Sequence, residues 1–381
     1  MTGEVRPRVA VTGFGVFSCF GWGAEALRGF VFAGTPGFRS VSRFDTAIYR
    51  VGRAAHADER PELAAAFQAA ALAALRMASL PTPDRAAVLL GTQGDWTGLS
   101  TFWRTGGGPA PVTAIAGAQA QLLAAELGIE QGRRRVFNNG CVAATAALGE
   151  GLALLASGRE NLVLAGGGYL VEQEFFAKFD SGRAFAPDGM MRPFSRDRAG
   201  LLLGDGVAVL ALEREADALA RGATPLAILA AVGMAADAHH VCRPHPAGAG
   251  LARAIESALE RSGLDRSEIG YVNAHGTATQ ANDSAETAAL RAVFGARPPP
   301  TSSTKSCTGH ALEGSGALEA VISLLALRDG MLPPTAGFTG PAPDCAIDCI
   351  PNQSRRQPLR AVVSNASAFG GMNAALILAA A

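Results

Sequence analysis

Short apolar runs alternate along the chain with longer segments of helical periodicity. The runs RVAVTGFG, AAVLLGTQG, NLVLAGGG and GVAVLALE predict strands in the first half, and LAILAAVGMA, IGYVNAHG, PTSSTKS and AVVSNASA predict strands in the second. Segments rich in Ala and Leu predict helices over 62–78, 116–127, 142–157, 250–262, 283–294 and 314–328. Because several runs are apolar almost throughout, we expect sheets that are covered on both faces. The alternation indicates a layered α/β protein.

The two halves of the chain repeat one order of features. RRRVFNNGCVAATAALGEGLALLASGRENLVLAGGG predicts a strand, a turn with a cysteine, an Ala-rich helix and another strand. PPPTSSTKSCTGHALEGSGALEAVISLLALRDG, followed by AVVSNASAFGG, repeats this order with a histidine in the turn. We therefore predict a duplication, with a first half over 1–220 and a second half over 221–381. Packed about a pseudo-twofold axis, such halves would bring Cys141, His275 and His310 into one crevice.

Composition narrows the classes of function. The chain has 381 residues, 49% of them hydrophobic and 17% charged, and its 33 basic and 33 acidic residues give no formal net charge. This balance offers no field to attract nucleic acid or an anionic membrane. Six cysteines are too few for a disulfide framework in a chain of this length. With no apolar segment before the first predicted strand, we expect a reduced, soluble, cytoplasmic protein.

Cys141 stands at the start of a predicted helix, in the stretch NNGCVAATAALGEGLALL. A helix N-terminus carries unpaired N–H groups and about half a positive charge, so we expect the pKa of this thiol to lie below its free value of about 8.5. Gly140 suits a sharp strand-to-helix turn. The alternative is that Cys141 is a small buried hydrophobic side chain, as free cysteines often are.

The second half supplies candidate partners for the thiol. His275 lies in YVNAHGTATQANDSAE, and Lys305 and His310 lie in SSTKSCTGHALEGSGALEA. Each histidine alone could be structural. Two histidines, a lysine and a cysteine at strand-to-helix turns of a duplicated fold favour a catalytic site. The crowded DAHHVCRPHP fits no standard zinc spacing, so we predict no metal.

These motifs resemble those of the β-ketoacyl-acyl-carrier-protein synthases of the type I/II elongating kind, condensing enzymes of the thiolase superfamily. The resemblance extends from VAVTGFGVFS to NASAFGGMNAALIL. It implies a thiolase-like five-layered α/β/α/β/α fold from two duplicated halves. It also implies a decarboxylative Claisen condensation of a Cys-bound acyl chain with malonyl-carrier, in fatty-acid or polyketide-type synthesis.

The resemblance assigns a role to each candidate site residue. Cys141 would be the acylated nucleophile, and His275 and His310 the paired histidines. A charged shell of Lys305, Glu319 and Asp283 would orient His310. The backbone N–H groups of Cys141 and Phe369 would form an oxyanion hole, and Phe369 would also act as a gate. Thr277 and Thr279 would contact the pantetheine arm. No cofactor is implied, since the substrates are carried on the phosphopantetheine of an acyl carrier protein. The expected assembly is a homodimer, or a heterodimer with a second ketosynthase-like subunit.

Four positions depart from the family pattern, one of which is Met372 in place of a Thr. Glu313 stands where Gly is usual, Ser367 replaces a Phe, and Ala368 replaces a flexible Gly. An acidic group near the histidines could raise their pKa values or could face solvent. These departures, with a sparse basic surface for carrier docking, leave two alternatives. One is a non-elongating acyltransferase or cyclase, and the other is a partner subunit that resembles a chain-length factor.

Overall fold

The strands of the structure follow the alternation that the sequence predicts. The computed structural model describes residues 7–81, 83, 85–107 and 112–381, so residues 1–6 of the predicted first half lie outside the described part. The strands are β1 (Val9–Ser18), β2 (Gly21–Trp22), β3 (Phe38–Ser40), β4 (Arg53–Ala55), β5 (Ala87–Gly91), β6 (Arg134–Phe137), β7 (Leu162–Tyr169), β8 (Gly206–Arg214), β9 (Ala227–Ala236), β10 (Ile269–Asn273), β11 (Thr301–Ser302), β12 (Met331–Leu332), β13 (Arg355–Arg356), β14 (Ala361–Ala368) and β15 (Met372–Ala379).

The helices include all six that the sequence predicts. They are α1 (Ala24–Val31), α2 (Leu63–Met77), α3 (Trp96–Arg104), α4 (Gln119–Glu126), α5 (Ala143–Ala156), α6 (Gln173–Ser181), α7 (Glu215–Ala220), α8 (Ala249–Ser262), α9 (Gln280–Phe294), α10 (Lys305–Thr308) and α11 (Ser315–Asp329). The predicted segments correspond to α2, α4, α5, α8, α9 and α11. Among the described residues, no helix is long and apolar enough to cross a membrane.

The main sheet shows the duplication directly. Its strand order is β11-β10-β14-β15-β9-β1-β8-β7-β5-β6. Read outward from the middle, each half has the same succession of pairings, two antiparallel and then two parallel. The halves join where β1 pairs with β9, with Val9 opposite Leu229. The exact boundary at residue 220 stays a prediction.

Five layers result from how the helices cover this sheet. Helices α2 and α4 pack on the outer face of the first half, and α8, with α9 beside it, covers the outer face of the second. Helices α5 and α11 lie between the halves and contact strands of both. Helix α11 is buried from Ser315 to Leu327, as expected for a helix enclosed between the two halves of the main sheet. The predicted thiolase-like five-layered fold is confirmed.

The apolar runs of the first half form buried strands, as their composition predicts. Strand β1 is buried at every residue, and β8 is buried from Gly206 to Glu213, because helices cover both faces of the sheet there. The prediction was wrong in part for PTSSTKS, of which only Thr301–Ser302 form a strand, while Lys305–Thr308 form the short helix α10. The terminal strand β15 was not predicted, although MNAALILA is almost entirely apolar.

Glycines permit the close contact between the two central helices. A Cβ atom at Gly316 of α11 would lie 2.3 Å from the Oγ1 atom of Thr145 and 2.9 Å from its backbone nitrogen. Since Thr145 belongs to α5, this contact sets the spacing between the helices that follow the predicted catalytic turns.

We predict that Gly316→Ala lowers the free energy of unfolding by about 1–3 kcal/mol, because the added methyl group forces α5 and α11 apart. Chemical denaturation would measure the change. The matched control is Gly29→Ala in the exposed part of α1, where a Cβ atom would meet nothing within 4 Å. Equal stability of Gly316→Ala and the wild-type protein would contradict the packing described here.

Candidate active site

Cys141 lies in a 3-10 turn, Gly140–Val142, that leads from β6 into α5. Gly140 has a φ of 65°, a conformation that glycine adopts without the steric penalty of a Cβ atom. The site is also close to the end of β14, since a Cβ atom on Gly140 would lie 3.3 Å from that of Ala368. The predicted strand-to-helix turn is therefore present, and it brings the C-terminal hairpin beside the thiol.

His310 comes from the second half but is anchored to a segment of the first. Its backbone N–H donates to the Leu202 carbonyl at 2.8 Å, and its carbonyl accepts from Gly204 at 3.0 Å. A Cβ atom at Gly204 would lie 1.9 Å from the Thr308 carbonyl oxygen, so only glycine allows this approach. These bonds hold the histidine turn against the half that carries Cys141.

The thiol and the two imidazoles meet as the sequence predicts. The Nε2 atom of His310 lies 3.1 Å from the Sγ atom of Cys141. The ring centroids of His275 and His310 are 5.2 Å apart, and their planes are nearly perpendicular. The Nδ1 atom of His310 bonds to the Ser315 hydroxyl at 2.9 Å. Because a hydroxyl can donate or accept, Ser315 supports either tautomer of the ring.

Glu286 holds the turn that carries His275. Its carboxylate accepts the backbone N–H of His275 at 2.9 Å and that of Gly276 at 2.7 Å. The amide of Asn365 also donates to this carboxylate, at 3.0 Å. Glu286 was not among the site residues predicted from the sequence. Its signal was its position three residues after Asp283, on the same face of a helix that follows the histidine motif.

The prediction that Asp283 helps to orient His310 was wrong. The Asp283 carboxylate accepts the backbone N–H of Phe194 at 2.8 Å and lies 3.9 Å from Arg198. It therefore anchors the segment beside the histidine turn and makes no hydrogen bond to either imidazole. Lys305 and Glu319 form a buried ion pair with each other. Among the described residues, the hydrogen-bond partners of the His310 ring are Cys141 and Ser315.

Lys305 acts on the histidines through its charge. Burial lowers the pKa of His310 well below its usual value, and the positive charge of Lys305 lowers it further. The pKa of His275 falls for the same two reasons, with an added contribution from His310. Both imidazoles are therefore neutral near pH 7, and each can donate one N–H and accept at its other nitrogen.

The expected low pKa of Cys141 was also wrong. Burial raises the pKa of this thiol to about 12, and the carboxylate of Glu313 raises it further, while Lys305 and a backbone N–H lower it less. The side chain keeps some exposure to solvent but packs against a cluster of aromatic and aliphatic residues. Loss of hydration outweighs the helix terminus because an anion loses most in an apolar environment. The resting nucleophile is a thiol.

The remaining predicted residues lie around this centre. The hydroxyls of Thr277 and Thr279 are 3.0 Å apart, directly after the His275 turn. Phe369 is 60% exposed, and its ring stacks against Phe179 with 6.2 Å between centroids. The hydroxyl of Ser367 reaches across the hairpin to Asn373, at 2.8 Å.

Glu313, the unusual acidic residue, points inward. It is 1% exposed and accepts a hydrogen bond from the Gln93 amide. Burial raises its pKa to about 7, an effect that hydrogen bonds and the charge of Lys178 oppose. This burial excludes the alternative that Glu313 faces solvent.

The histidine-rich loop forms no recognisable metal centre. In the part of the chain that the structure describes, no three His, Cys, Asp or Glu side chains are grouped so as to hold a metal ion. The rings of His239 and His245 lie 5.0 Å apart at the surface. This loop instead contacts the C-terminal hairpin, since the Gly370 N–H donates to the Val241 carbonyl at 2.7 Å.

Comparison with known protein families agrees with this geometry. The model of the β-ketoacyl synthase N-terminal domain matches residues 53–218, and that of the β-ketoacyl synthase C-terminal domain matches residues 226–339. The putative polyketide β-ketoacyl synthase 1 of Streptomyces halstedii is 35% identical to the chain, with 97% of each protein covered.

Two solved structures are closely similar in fold. One is the ishigamide ketosynthase/chain length factor, with a TM-score of 0.94, 33% identity and coverage of 99% of this chain and 100% of that one. The other, AntDE:AntF, is a type II PKS acyl-carrier protein in complex with its ketosynthase bound to the hexaketide. Its TM-score is 0.90 at 25% identity, with 99% and 100% covered. The chain belongs to the β-ketoacyl synthase family and is an acyltransferase of the condensing type.

We predict that Glu313→Gln increases the rate at which iodoacetamide alkylates Cys141. Above the Glu313 pKa of about 7, the wild-type carboxylate raises the thiol pKa, and the uncharged amide removes that effect. The expected acceleration is about threefold to tenfold, because more of the sulfur is thiolate.

Peptide mass mapping after timed alkylation would measure this rate. The exposed Cys242 is the internal control and should react at an unchanged rate. Unchanged or slower alkylation of Cys141 in the variant would show that Glu313 does not act on the thiol.

Proposed function

We propose that Cys141 carries the growing acyl chain and that His275 and His310 promote its condensation with a malonyl thioester. The observation that carries this proposal is the 3.1 Å contact between the Sγ atom of Cys141 and the Nε2 atom of His310, with the His275 ring beside it. A nucleophile in contact with a base that a third group orients is the arrangement that covalent catalysis requires.

In the loading step, the sulfur attacks the carbonyl carbon of an acyl thioester. His310 accepts the thiol proton at Nε2 as the carbon–sulfur bond to Cys141 forms, since its neutral ring has a free lone pair there. The bond to the carrier sulfur then breaks, and the departing thiol takes up the proton. The backbone N–H groups of Cys141 and Phe369 remain our proposed donors to the oxyanion, where one such donor contributes about a hundredfold or more to the rate.

In the condensation step, the malonyl thioester loses CO2. The electron pair of the broken carbon–carbon bond forms an enolate, whose oxygen accepts hydrogen bonds from the N–H groups of His275 and His310. For this step His310 adopts the tautomer with its proton at Nε2, and Nδ1 then accepts from the Ser315 hydroxyl. Neutral imidazoles suit this role, because each keeps one N–H to donate. The positive charge of Lys305, which is paired with Glu319, opposes protonation of both rings. The enolate carbon attacks the acyl carbonyl, and the product is two carbons longer. The Cys141 sulfur leaves as a thiolate, which takes up a proton from water to restore the thiol.

The carrier and the assembly belong to the same proposal. Both substrates would arrive on the phosphopantetheine arm of an acyl carrier protein, with Thr277 and Thr279 positioned after the histidine turn to bond that arm. The similar solved structures, a ketosynthase/chain length factor and a carrier complex, support carrier binding and pairing with a second ketosynthase-like subunit. Exposed apolar side chains on the first half, Trp103 and Ile115, suit such a contact. The cytoplasmic location stays a prediction.

We predict that the wild-type protein gains the mass of an acyl group when it is incubated with acyl-carrier thioesters and that Cys141→Ala gains none. With labelled malonyl-carrier, the acylated protein should release CO2 and form a longer chain. His275→Ala and His310→Ala should slow CO2 release by about a hundredfold or more, because each removes a donor to the enolate oxygen. Intact-protein mass spectrometry and CO2 trapping would measure these steps.

The same experiment separates the alternatives. Acylation of Cys141 without CO2 release would indicate a non-elongating acyltransferase or cyclase. Equal product from wild type and Cys141→Ala in the presence of a partner ketosynthase would indicate an accessory subunit. Either result would contradict the proposed condensation.

A further inference from the structure

Several buried polar atoms near Cys141 lack hydrogen-bond partners among the described residues. Two of them are the Oε2 atom of Glu313, whose other oxygen accepts from Gln93, and the hydroxyl of Tyr169. The side chains are 1% and 4% exposed. Buried polar atoms are normally paired, so an oxygen-bearing group that reached these two atoms would find them available for hydrogen bonding.

Both atoms belong to the surroundings of the nucleophile. Glu313 lies in the 3-10 turn Leu312–Gly314, which contacts the Gly140–Val142 turn that carries Cys141. Strand β7, which ends at Tyr169, packs against the same turn, since a Cβ atom at Gly314 would lie 3.1 Å from the backbone nitrogen of Tyr169. Tyr169 also belongs to the hydrophobic cluster against which Cys141 packs.

Aromatic rings lie beside these polar atoms. The Tyr169 ring packs edge-on against Phe175 with 6.1 Å between centroids, and Phe175 packs in the same way against Trp96, at 5.8 Å. The indole Nε1 of Trp96 is a further buried donor without a partner in the described part of the chain. Cys141 packs against this same cluster. The nucleophile thus faces an apolar surface that contains a few unpaired polar atoms, as small-molecule sites typically do.

Unpaired polar atoms beside the nucleophile would favour acyl chains that carry a polar group over chains that carry none. A saturated alkyl chain would exclude water from Glu313 and Tyr169 and give them no hydrogen bond in return, which costs free energy. A chain with a hydroxyl or ketone oxygen would satisfy them. The carboxyl of Glu313 accepts a hydrogen bond when ionised and donates one when protonated, and the phenol of Tyr169 can do either.

We propose that Glu313 and Tyr169 bind an oxygen substituent on the first carbons of the acyl chain carried by Cys141, so that the enzyme selects oxygenated acyl groups over saturated ones. This inference rests on the proposed function, because it requires that Cys141 is acylated. It deepens that function by naming the class of acyl chain. Where the family pattern has Gly in place of Glu313, such a carboxyl is absent.

The test compares loading of Cys141 by thioesters of equal length. Butyryl, 3-hydroxybutyryl and acetoacetyl groups, each on N-acetylcysteamine, would be incubated with the full chain, and intact-protein mass spectrometry would follow acylation. We expect at least one oxygenated group to load about tenfold faster than butyryl, the effect of one satisfied hydrogen bond or more. The two oxygenated thioesters distinguish a hydroxyl from a ketone as the group that is bound.

Glu313→Leu and Tyr169→Phe should each reduce this preference towards unity, mainly by slowing the oxygenated thioester. Tyr169→Phe keeps the aromatic packing, so it tests the hydroxyl alone even if Glu313→Leu disturbs folding. Glu256→Leu, on the exposed face of α8, is the matched control and should keep the wild-type preference.

Equal or faster loading of butyryl by the wild-type protein would overturn the inference. So would a preference that both Glu313→Leu and Tyr169→Phe retain. If the wild-type chain loaded none of the three thioesters and acyl-carrier substrates also failed, the proposed acylation of Cys141 would be wrong instead. The two failures are therefore distinguishable.

Discussion

The contact between the Cys141 sulfur and the Nε2 atom of His310 is the interaction on which the site depends. The two residues come from different halves of the chain, and each lies just before a central helix. The contact therefore exists only if the two halves pack in one relative position. Gly204 and Gly316 make that position possible, because at each of them a Cβ atom would overlap the opposite segment.

Desolvation determines the electrostatics of this contact. Burial favours the neutral form of each partner, a thiol and an imidazole, over a thiolate and an imidazolium. The positive charge of Lys305 works in two directions: it favours the thiolate but opposes the imidazolium. A neutral pair leaves proton transfer to occur when the sulfur attacks, and it keeps N–H groups available for an enolate. The helix terminus contributes, but less than burial does.

Much of this arrangement was predictable from the sequence, since periodicity and repeated order of elements are local signals. Cys141, His275 and His310 were placed together because the two halves repeat a strand, a turn and a helix. The roles of Asp283 and Glu286 were not separable in this way. Both face the same side of α9, and only coordinates show that Glu286 binds the His275 turn while Asp283 binds Phe194.

The error about the Cys141 pKa has a physical cause of the same kind. A sequence shows that a cysteine begins a helix, but it does not show how completely neighbours from other segments remove water from the sulfur. The negative charge of the Glu313 carboxylate, which belongs to the other half of the chain, raises the pKa of the thiol further. Long-range packing therefore outweighed a local rule, and the same packing made Glu313 a buried group.

The protonation state of the imidazole pair tests the central claim most directly. Nitrogen-15 NMR of histidine-labelled protein, assigned with His275→Gln and His310→Gln variants, reports whether each ring is neutral or charged. We predict two neutral rings at pH 7 that stay neutral well below the usual histidine pKa. An imidazolium signal from His310 at pH 7 would instead reveal a thiolate–imidazolium pair and contradict the neutral contact.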